Sequence, residues 1–332
     1  MTKWFFQDDK DVGLIIPEEF SETQSKGSAL ALGYFDGMHR GHQKVFSEMK
    51  AYADRHNITS VAQTFSGIPK SKVIKSKGHG LLTTIEEKYE LMREAGADSV
   101  VLFSFSEHFS SVSAHDFFEK YIVALFEPKA LVVGHDYRFG KGREGDVKTL
   151  QKWGKKYGIG VIVVSPEIYR GQVISSSWVR ERILSADLEM TSILLGRMIS
   201  YSGRVVSGRK LGRNLGFPTA NIYPDKEKIV PPHGVYISFV KTESGIFDAV
   251  TNIGTRPTIS DNAQDKDVVI ETVILDQDMN LYDKNIKVYL AKKMREEKRF
   301  DDIGRLAVQI QIDMDKARED HTINRHLYAS FF

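Results

Sequence analysis

The strongest constraint on the fold is a change of rhythm near the middle of the chain. In the first half, apolar β-rich runs at Ala29–Phe35, Ser60–Phe65, Ser99–Phe105, Ala130–Tyr137 and Gly160–Pro166 alternate with amphipathic stretches. Those stretches are Gln43–His56, Thr84–Ala95, Ala114–Phe126 and Asp146–Tyr157. Strands spaced by helices in this way predict βαβ crossovers and a parallel, Rossmann-like sheet with both faces covered. Ligands of such sheets bind at the carboxyl ends of the strands, near a topological switch point. The helical pattern runs on to about Gly196, and beyond it the helices drop out. Short strands at Met198–Val206, Gly234–Val240, Phe247–Ile253, Val268–Leu275 and Ile286–Ala291 follow one another across turn signals, which predicts an antiparallel sheet or small barrel. A last helix from Asp301 to about Arg318 is expected to pack through Ile303, Leu306, Ile310 and Met314. The fold class is therefore α/β followed by β, with domains at 1–186 and 187–332. A length of 332 residues suits two such domains.

Composition removes several function classes. With no cysteine, disulfides, thiolate catalysis and Cys-ligated metals are excluded. A net charge of +2 gives no reason to expect nucleic acid or a membrane surface as partner. No apolar run approaches the roughly 20 residues of a membrane span, and the N-terminus lacks a signal-peptide pattern, so a cytoplasmic location is expected. Small molecules are the expected partners, and the sequence leaves the oligomeric state open.

The unusual residues sit at predicted strand ends. Leu32-Gly33-Tyr34-Phe35-Asp36-Gly37-Met38-His39-Arg40-Gly41-His42 joins the first strand of the parallel half to its helix. Gly33 and Gly37 let the backbone approach a ligand closely. His39 and His42 fall on one helical face beside exposed N–H groups, where they can donate to triphosphate oxygens and stabilise a departing pyrophosphate. The plain alternative is a helix cap with two exposed histidines; a zinc site would need ligands beyond this pair. Ile174-Ser175-Ser176-Ser177-Trp178-Val179-Arg180 supplies hydroxyls at a helix start and a cation one turn in, either a phosphate clamp or a cap with a solvated charge. Asp136, within Gly134–Gly140, can accept from adenine or ribose or can form an Asx turn.

The second half carries its own loop, from Gly208 through Arg209, Lys210, Gly212, Arg213 and Gly216 to Phe217-Pro218-Thr219-Ala220-Asn221. It lacks Walker spacing but could wrap phosphates; a basic surface hairpin is the alternative. Thr219 and Asn221, two apart on an extended segment, point the same way and offer hard oxygens to Mg²⁺ with ATP. Glu271 interrupts the apolar run Val268–Leu275. A carboxylate there is either a general base or a structural partner of Arg256 or Arg295.

From about Ala29 to Phe300 these segments together resemble the bacterial bifunctional riboflavin kinase/FMN adenylyltransferase (FAD synthetase) family, and Gly33–His42 resembles the HxGH motif of nucleotidyltransferases. The resemblance implies a Rossmann-like N-terminal domain that adenylylates FMN with ATP, giving FAD and pyrophosphate. It also implies a barrel domain that phosphorylates riboflavin to FMN. His39, His42, Ser176 and Arg180 then handle ATP phosphates, with Ser177 in place of a usual threonine. Gly33, Phe35, Asp36 and Asp136 line the nucleotide loops. In the barrel, Gly208, Arg209, Gly212 and Gly216 form the phosphate loop, Thr219 and Asn221 hold Mg²⁺, and Glu271 is the base. Asn252 and Arg256 lie in a flavin-side loop, and Arg295, also a cofactor contact, lies in the usual segment before the last helix. Three departures stand out. Ser66 replaces the aspartate of an Asp-Pro-His-Pro-like run, which implies slow adenylylation or an altered flavin preference. Val273 lies where a histidine is usual, and Asp283 replaces a glycine. The alternatives are a member with one efficient activity and a non-catalytic flavin- or nucleotide-binding regulator.

Overall fold

A computed structural model describes residues 4–9, 12–17, 27–66, 80–104, 107–206, 217–257, 266–277, 279–298 and 300–332. It divides into two compact units, Met1–Ser176 and Ser177–Phe332.

The first unit is built on a seven-stranded sheet. Its strands are β1 (Trp4–Asp9), β2 (Val12–Pro17), β3 (Ser28–Leu32), β4 (Thr59–Ser66), β5 (Ser99–Ser104), β6 (Pro128–Gly134) and β7 (Gly160–Val164), in the order β1-β2-β5-β4-β3-β6-β7. Strands β3 to β7 pair in parallel, as their Val- and Ala-rich runs predict. The hairpin β1–β2, which the alternation pattern does not announce, adds antiparallel to β5 and pairs that edge. From β3 the chain winds one way through β4 and β5, then the other way through β6 and β7. The switch point therefore lies between β3 and β6, where an open α/β sheet leaves a crevice for ligands.

Alternation along the strands feeds two cores. Leu30, Leu32, Val61, Val101, Phe103, Leu131 and Val133 face the helical stretch 114–126, whose middle, Phe117–Val123, is π-helical, and helix α3 (Val147–Tyr157). Ala29, Ala31, Ala62, Val100 and Val132 face Val45, Phe46, Met49 and Ala53 of helix α1 (Arg40–His56) and Met92 of helix α2 (Ile85–Glu94).

The second unit carries the rest of helix α4 (Ser176–Leu184), then helix α5 (Leu188–Leu195). The sequence expectation of one helical stretch to Gly196 is interrupted here. Ala186 takes a left-handed φ of 58° and breaks the stretch into two. Strands β8 (Ile199–Arg204), β9 (Ala220–Ile222), β10 (Gly234–Thr242), β11 (Gly245–Pro257), β12 (Lys266–Ile274) and β13 (Asn285–Arg295) form one antiparallel sheet in the order β8-β13-β10-β11-β12-β9. A bridge from Val206, just past β8, to Asn221 of β9 links the two edges and closes the sheet toward a barrel. Asp283 adopts φ 64°, the conformation a glycine would take without strain; the Arg204 guanidinium pairs with its carboxylate at 3.2 Å.

Helix α6 (Ile303–Ala329) is longer than the spacing predicts, and its packing face starts later. Ile303 is exposed; the buried face runs through Met314, Ala317, His321 and Tyr328, with Ile310 packed beside it. An ion pair ties this helix to β13. Arg295 Nε donates to both Asp313 oxygens at 3.0 and 3.2 Å, Nη2 donates to Oδ2 at 2.6 Å, and the Asp313 side chain is only 6% exposed. Removing one member of such a pair strands the other charge. Asp313→Ala is therefore expected to destabilise this unit by about 3 kcal/mol in urea unfolding.

Candidate functional site

In the first unit the turn after β3 is held in an unfavourable backbone. Phe35, Gly37 and Met38 have φ of 49°, 81° and 40°, and two of the three are not glycine. Strain of this kind persists only where the surroundings impose it. Phe35 is buried, packed edge-on against His42 and Phe46, and its ring fills the space a Cβ on Gly33 would need. Phe35 thus wedges the turn open from inside. Asp36 is buried too, and its Oδ1 accepts from the N–H groups of Leu82 and Thr83 at 3.0 and 3.3 Å. Gly37 N–H donates to Thr83 Oγ1, so the turn is clamped to the segment that leads into α2.

His39 is the N-cap of α1, as the plain reading holds, yet it is 5% exposed. Its Nδ1 accepts from the His42 N–H at 3.4 Å, and the two rings stack with centroids 3.6 Å apart. A neutral His39 accepting at Nδ1 carries its proton on Nε2, which leaves that N–H as the donor. A Cβ on Gly41 would come within 3.2 Å of the His39 ring, so glycine gives the stacked pair its room. Ser176 Oγ donates to the Asp36 carbonyl at 3.0 Å, bringing the serine segment to the turn. Ser177 and Arg180 follow on the first turns of α4. Asp136 is exposed at the end of β6, on the other side of the switch point, in a turn closed by Tyr137 N–H to Gly134 O. Ser66, at the end of β4, turns its hydroxyl to the Phe103 carbonyl at 3.4 Å; Gly67, Ile68 and Pro69 lie outside the described residues.

One residue of this site escapes sequence reasoning. Lys88 of α2 is 2% exposed, donates to the Phe65 carbonyl at 3.2 Å and lies 4.3 Å from the centre of the Tyr34 ring. In the sequence it is an ordinary lysine one residue past a Thr84–Glu87 capping box.

In the second unit the pairing register gathers residues that the sequence spreads over 75 positions. Asn221 of β9 lies opposite Glu271 of β12, Glu271 opposite Asn252 of β11, Asn252 opposite Val235 of β10, and Val235 opposite Arg295 of β13. Directly opposed residues share a face, so Asn221, Glu271, Asn252 and Arg295 form one row across the sheet. Asn221 is buried, and its Nδ2 lies 3.4 Å from both the Thr219 carbonyl and Thr219 Oγ1; the two side chains meet as the extended spacing predicts. Glu271 is half-buried between the two asparagines of the row. Arg295 spends its guanidinium on Asp313 and the Glu296 carbonyl, so the Glu271–Arg295 bridge gives way to an anchor on α6. Gly208, Arg209, Gly212 and Gly216 lie outside the described residues, as does the Arg256 side chain.

A cavity of about 490 Å³ opens beside the row. Pro218, Thr219 and Ala220 line it together with Thr272, Ile274, Met279 and Tyr282. Thr272 and Ile274 alternate with Glu271 along β12, so the cavity lies on the opposite face of that strand, and Thr219 is among the residues that line it. Among the described residues no three His, Asp or Glu side chains converge as a metal cage. Thr219 and Asn221 offer a hydroxyl and an amide oxygen at this place, donors compatible with a hard cation that also binds phosphate.

Known proteins agree with this division. A family described as FAD synthetase matches residues 21–178, and one described as riboflavin kinase matches residues 195–321. The bifunctional riboflavin kinase/FMN adenylyltransferase of Escherichia coli K12 is 36% identical over 300 residues, covering 90% of this chain and 94% of that protein. The protein of the same description from Bacillus subtilis 168 is 32% identical and covers 93% and 97% of the two chains. A crystal structure described as a macrolide-efflux protein from Streptococcus pneumoniae superposes with a TM-score of 0.79 at 27% identity, covering 90% of this chain and 96% of that one. No helix among the described residues is long and apolar enough to cross a membrane.

Proposed function

This chain belongs to the bifunctional riboflavin kinase/FMN adenylyltransferase family, and from that premise we propose that residues 187–332 phosphorylate riboflavin to FMN and residues 1–186 adenylylate FMN to FAD. The observation that carries the reading is the cross-strand row. In it Glu271 lies opposite Asn221, the neighbour of Thr219, and opposite Asn252, which supports reading Glu271 as the base beside the phosphate site.

In the kinase reaction Glu271 accepts the proton of the ribityl 5′-hydroxyl as that oxygen attacks the γ-phosphorus of ATP, and ADP leaves in line. Mg²⁺, held by Thr219 and Asn221, supplies charge neutralisation at the phosphates. Asn221 and Asn252 flank the base and restrict where its carboxylate can turn. In the adenylylation reaction a phosphate oxygen of FMN attacks the α-phosphorus of ATP and pyrophosphate departs. His39 Nε2–H and the His42 ring donate to the charge that grows on the leaving group, and the positive end of α1 adds to them. Ser176 and Asp136 bound the nucleotide on either side of the switch point, while Ser177 and Arg180 extend the phosphate contacts.

The test is chromatography of products from the purified protein with Mg–ATP and either riboflavin or FMN, each in oxidised and reduced form. FMN from riboflavin and FAD from FMN are expected, with the flavin redox state affecting only the second step, where Ser66 stands. Bound flavin with no turnover would overturn the reading in favour of a regulator.

A further inference from the structure

Lys88 is the buried cation at the carboxyl end of the parallel sheet that neither reaction uses. Its ammonium contacts two groups and feels the charge of a third, all from elements that converge at the first site. These are the Phe65 carbonyl at the end of β4, the Tyr34 ring on the turn after β3, and the carboxylate of Asp36 two residues further on. Tyr34 and Phe65 stack on each other with centroids 6.4 Å apart, and the Thr64 hydroxyl donates to the Tyr34 carbonyl at 2.8 Å. The strained turn that ends at His39 is therefore tied to the neighbouring strand end by a ring stack, by hydrogen bonds and by one buried ammonium. We propose that Lys88 is a positioning residue for adenylylation: its protonated ammonium holds the Tyr34–His39 turn against the end of β4 in the geometry that aims His39 and His42 at the phosphates.

Such a group has a cost that identifies it. Burial disfavours the charged form, and Asp36 recovers part of the loss, so the ammonium loses its proton at about pH 8 instead of near 10.5. Asp36 and Tyr34 are the titratable groups that act on it from the turn, and β4 presents the Phe65 backbone carbonyl. Between these two pH values the unfolded chain binds a proton that the folded one does not. Stability of the first unit therefore rises with pH over this window. Activity should move the other way, because the neutral amine loses its attraction to the ring and to Asp36. The stability trend follows from burial alone, so the alkaline loss of adenylylation is the trend that a merely space-filling residue would not show.

The proposal rests on the assignment of adenylylation to the first unit, and the kinase reaction in the second serves as internal control. FAD formation from FMN and FMN formation from riboflavin are measured from pH 6.5 to 9.5 in wild type, Lys88→Met and Lys88→Arg, with thermal melts of each. Wild-type adenylylation is expected to fall along an alkaline limb near pH 8 that the kinase reaction does not share. Lys88→Met should lose on the order of 10²-fold in kcat for FAD formation at neutral pH, with little change in KM for ATP, melt no earlier than wild type, and lack the limb. Lys88→Arg, which keeps its charge, should retain more activity than Lys88→Met and move the limb upward. Adenylylation that is flat across the range, or Lys88→Met within three-fold of wild type, overturns the proposal. A wild type that makes no FAD from FMN at any pH overturns the assignment of the unit itself.

Discussion

Glu271→Ala should lower kcat for FMN formation from riboflavin by about 10²–10⁴-fold, the range a positioned general base contributes. The same variant should make FAD from supplied FMN at a rate within a few-fold of wild type, because Glu271 lies in the second unit. The loss should fall on kcat, with KM for riboflavin little changed, since a proton acceptor acts in the transition state and contributes little to ground-state binding. Glu271→Gln separates the proton from the packing. It fills the same place between Asn221 and Asn252 and can still hydrogen-bond, yet it has no basic oxygen. A glutamine variant as impaired as the alanine one assigns Glu271 to proton transfer. A glutamine variant near wild-type rate would make it a spacer in the row.

The parallel half of this fold is legible in the sequence because its strands are buried on both faces. Runs such as Ala29–Leu32 and Leu131–Val133 are continuous and apolar, so their ends are sharp, and the glycine turn after β3 marks the switch point before any pairing is known. What the sequence does not hold is register. Asn221, Glu271, Asn252 and Arg295 become one row only when the strand partners are fixed. The resemblance to a family names the four residues without saying that they stand side by side. The internal partners of two proposed site residues are equally hidden: the Asp36 Oδ1 accepts from Leu82 and Thr83, and the Arg295 guanidinium pairs with Asp313. Lys88 is the converse case. Its position in an amphipathic helix suggests a solvated charge, and only the β4-to-α2 crossover brings it beneath Phe65. A capping box locates the start of a helix but not what lies under its first turn.

The second large effect is expected at the histidine pair. His42→Ala should lower kcat for FAD formation by about 10²–10³-fold, as removal of one preorganised donor to a developing negative charge does. FMN formation from riboflavin should be unaffected, and an unchanged thermal melt of the first unit would exclude loss of its fold. His39 should behave differently because it has two roles. As the N-cap of α1 it accepts from the His42 N–H, so His39→Ala should also destabilise the first unit by about 1 kcal/mol. His39→Asn restores a side-chain acceptor at the cap without restoring the Nε2–H. It should recover the stability and leave adenylylation low. The rings stack at 3.6 Å, so each holds the other in place, and the double alanine variant should lose far less than the product of the single losses. Product-of-losses behaviour would mean that the two histidines act on separate groups. Sub-additive losses would mean that the stacked pair works as one donor unit at the start of α1.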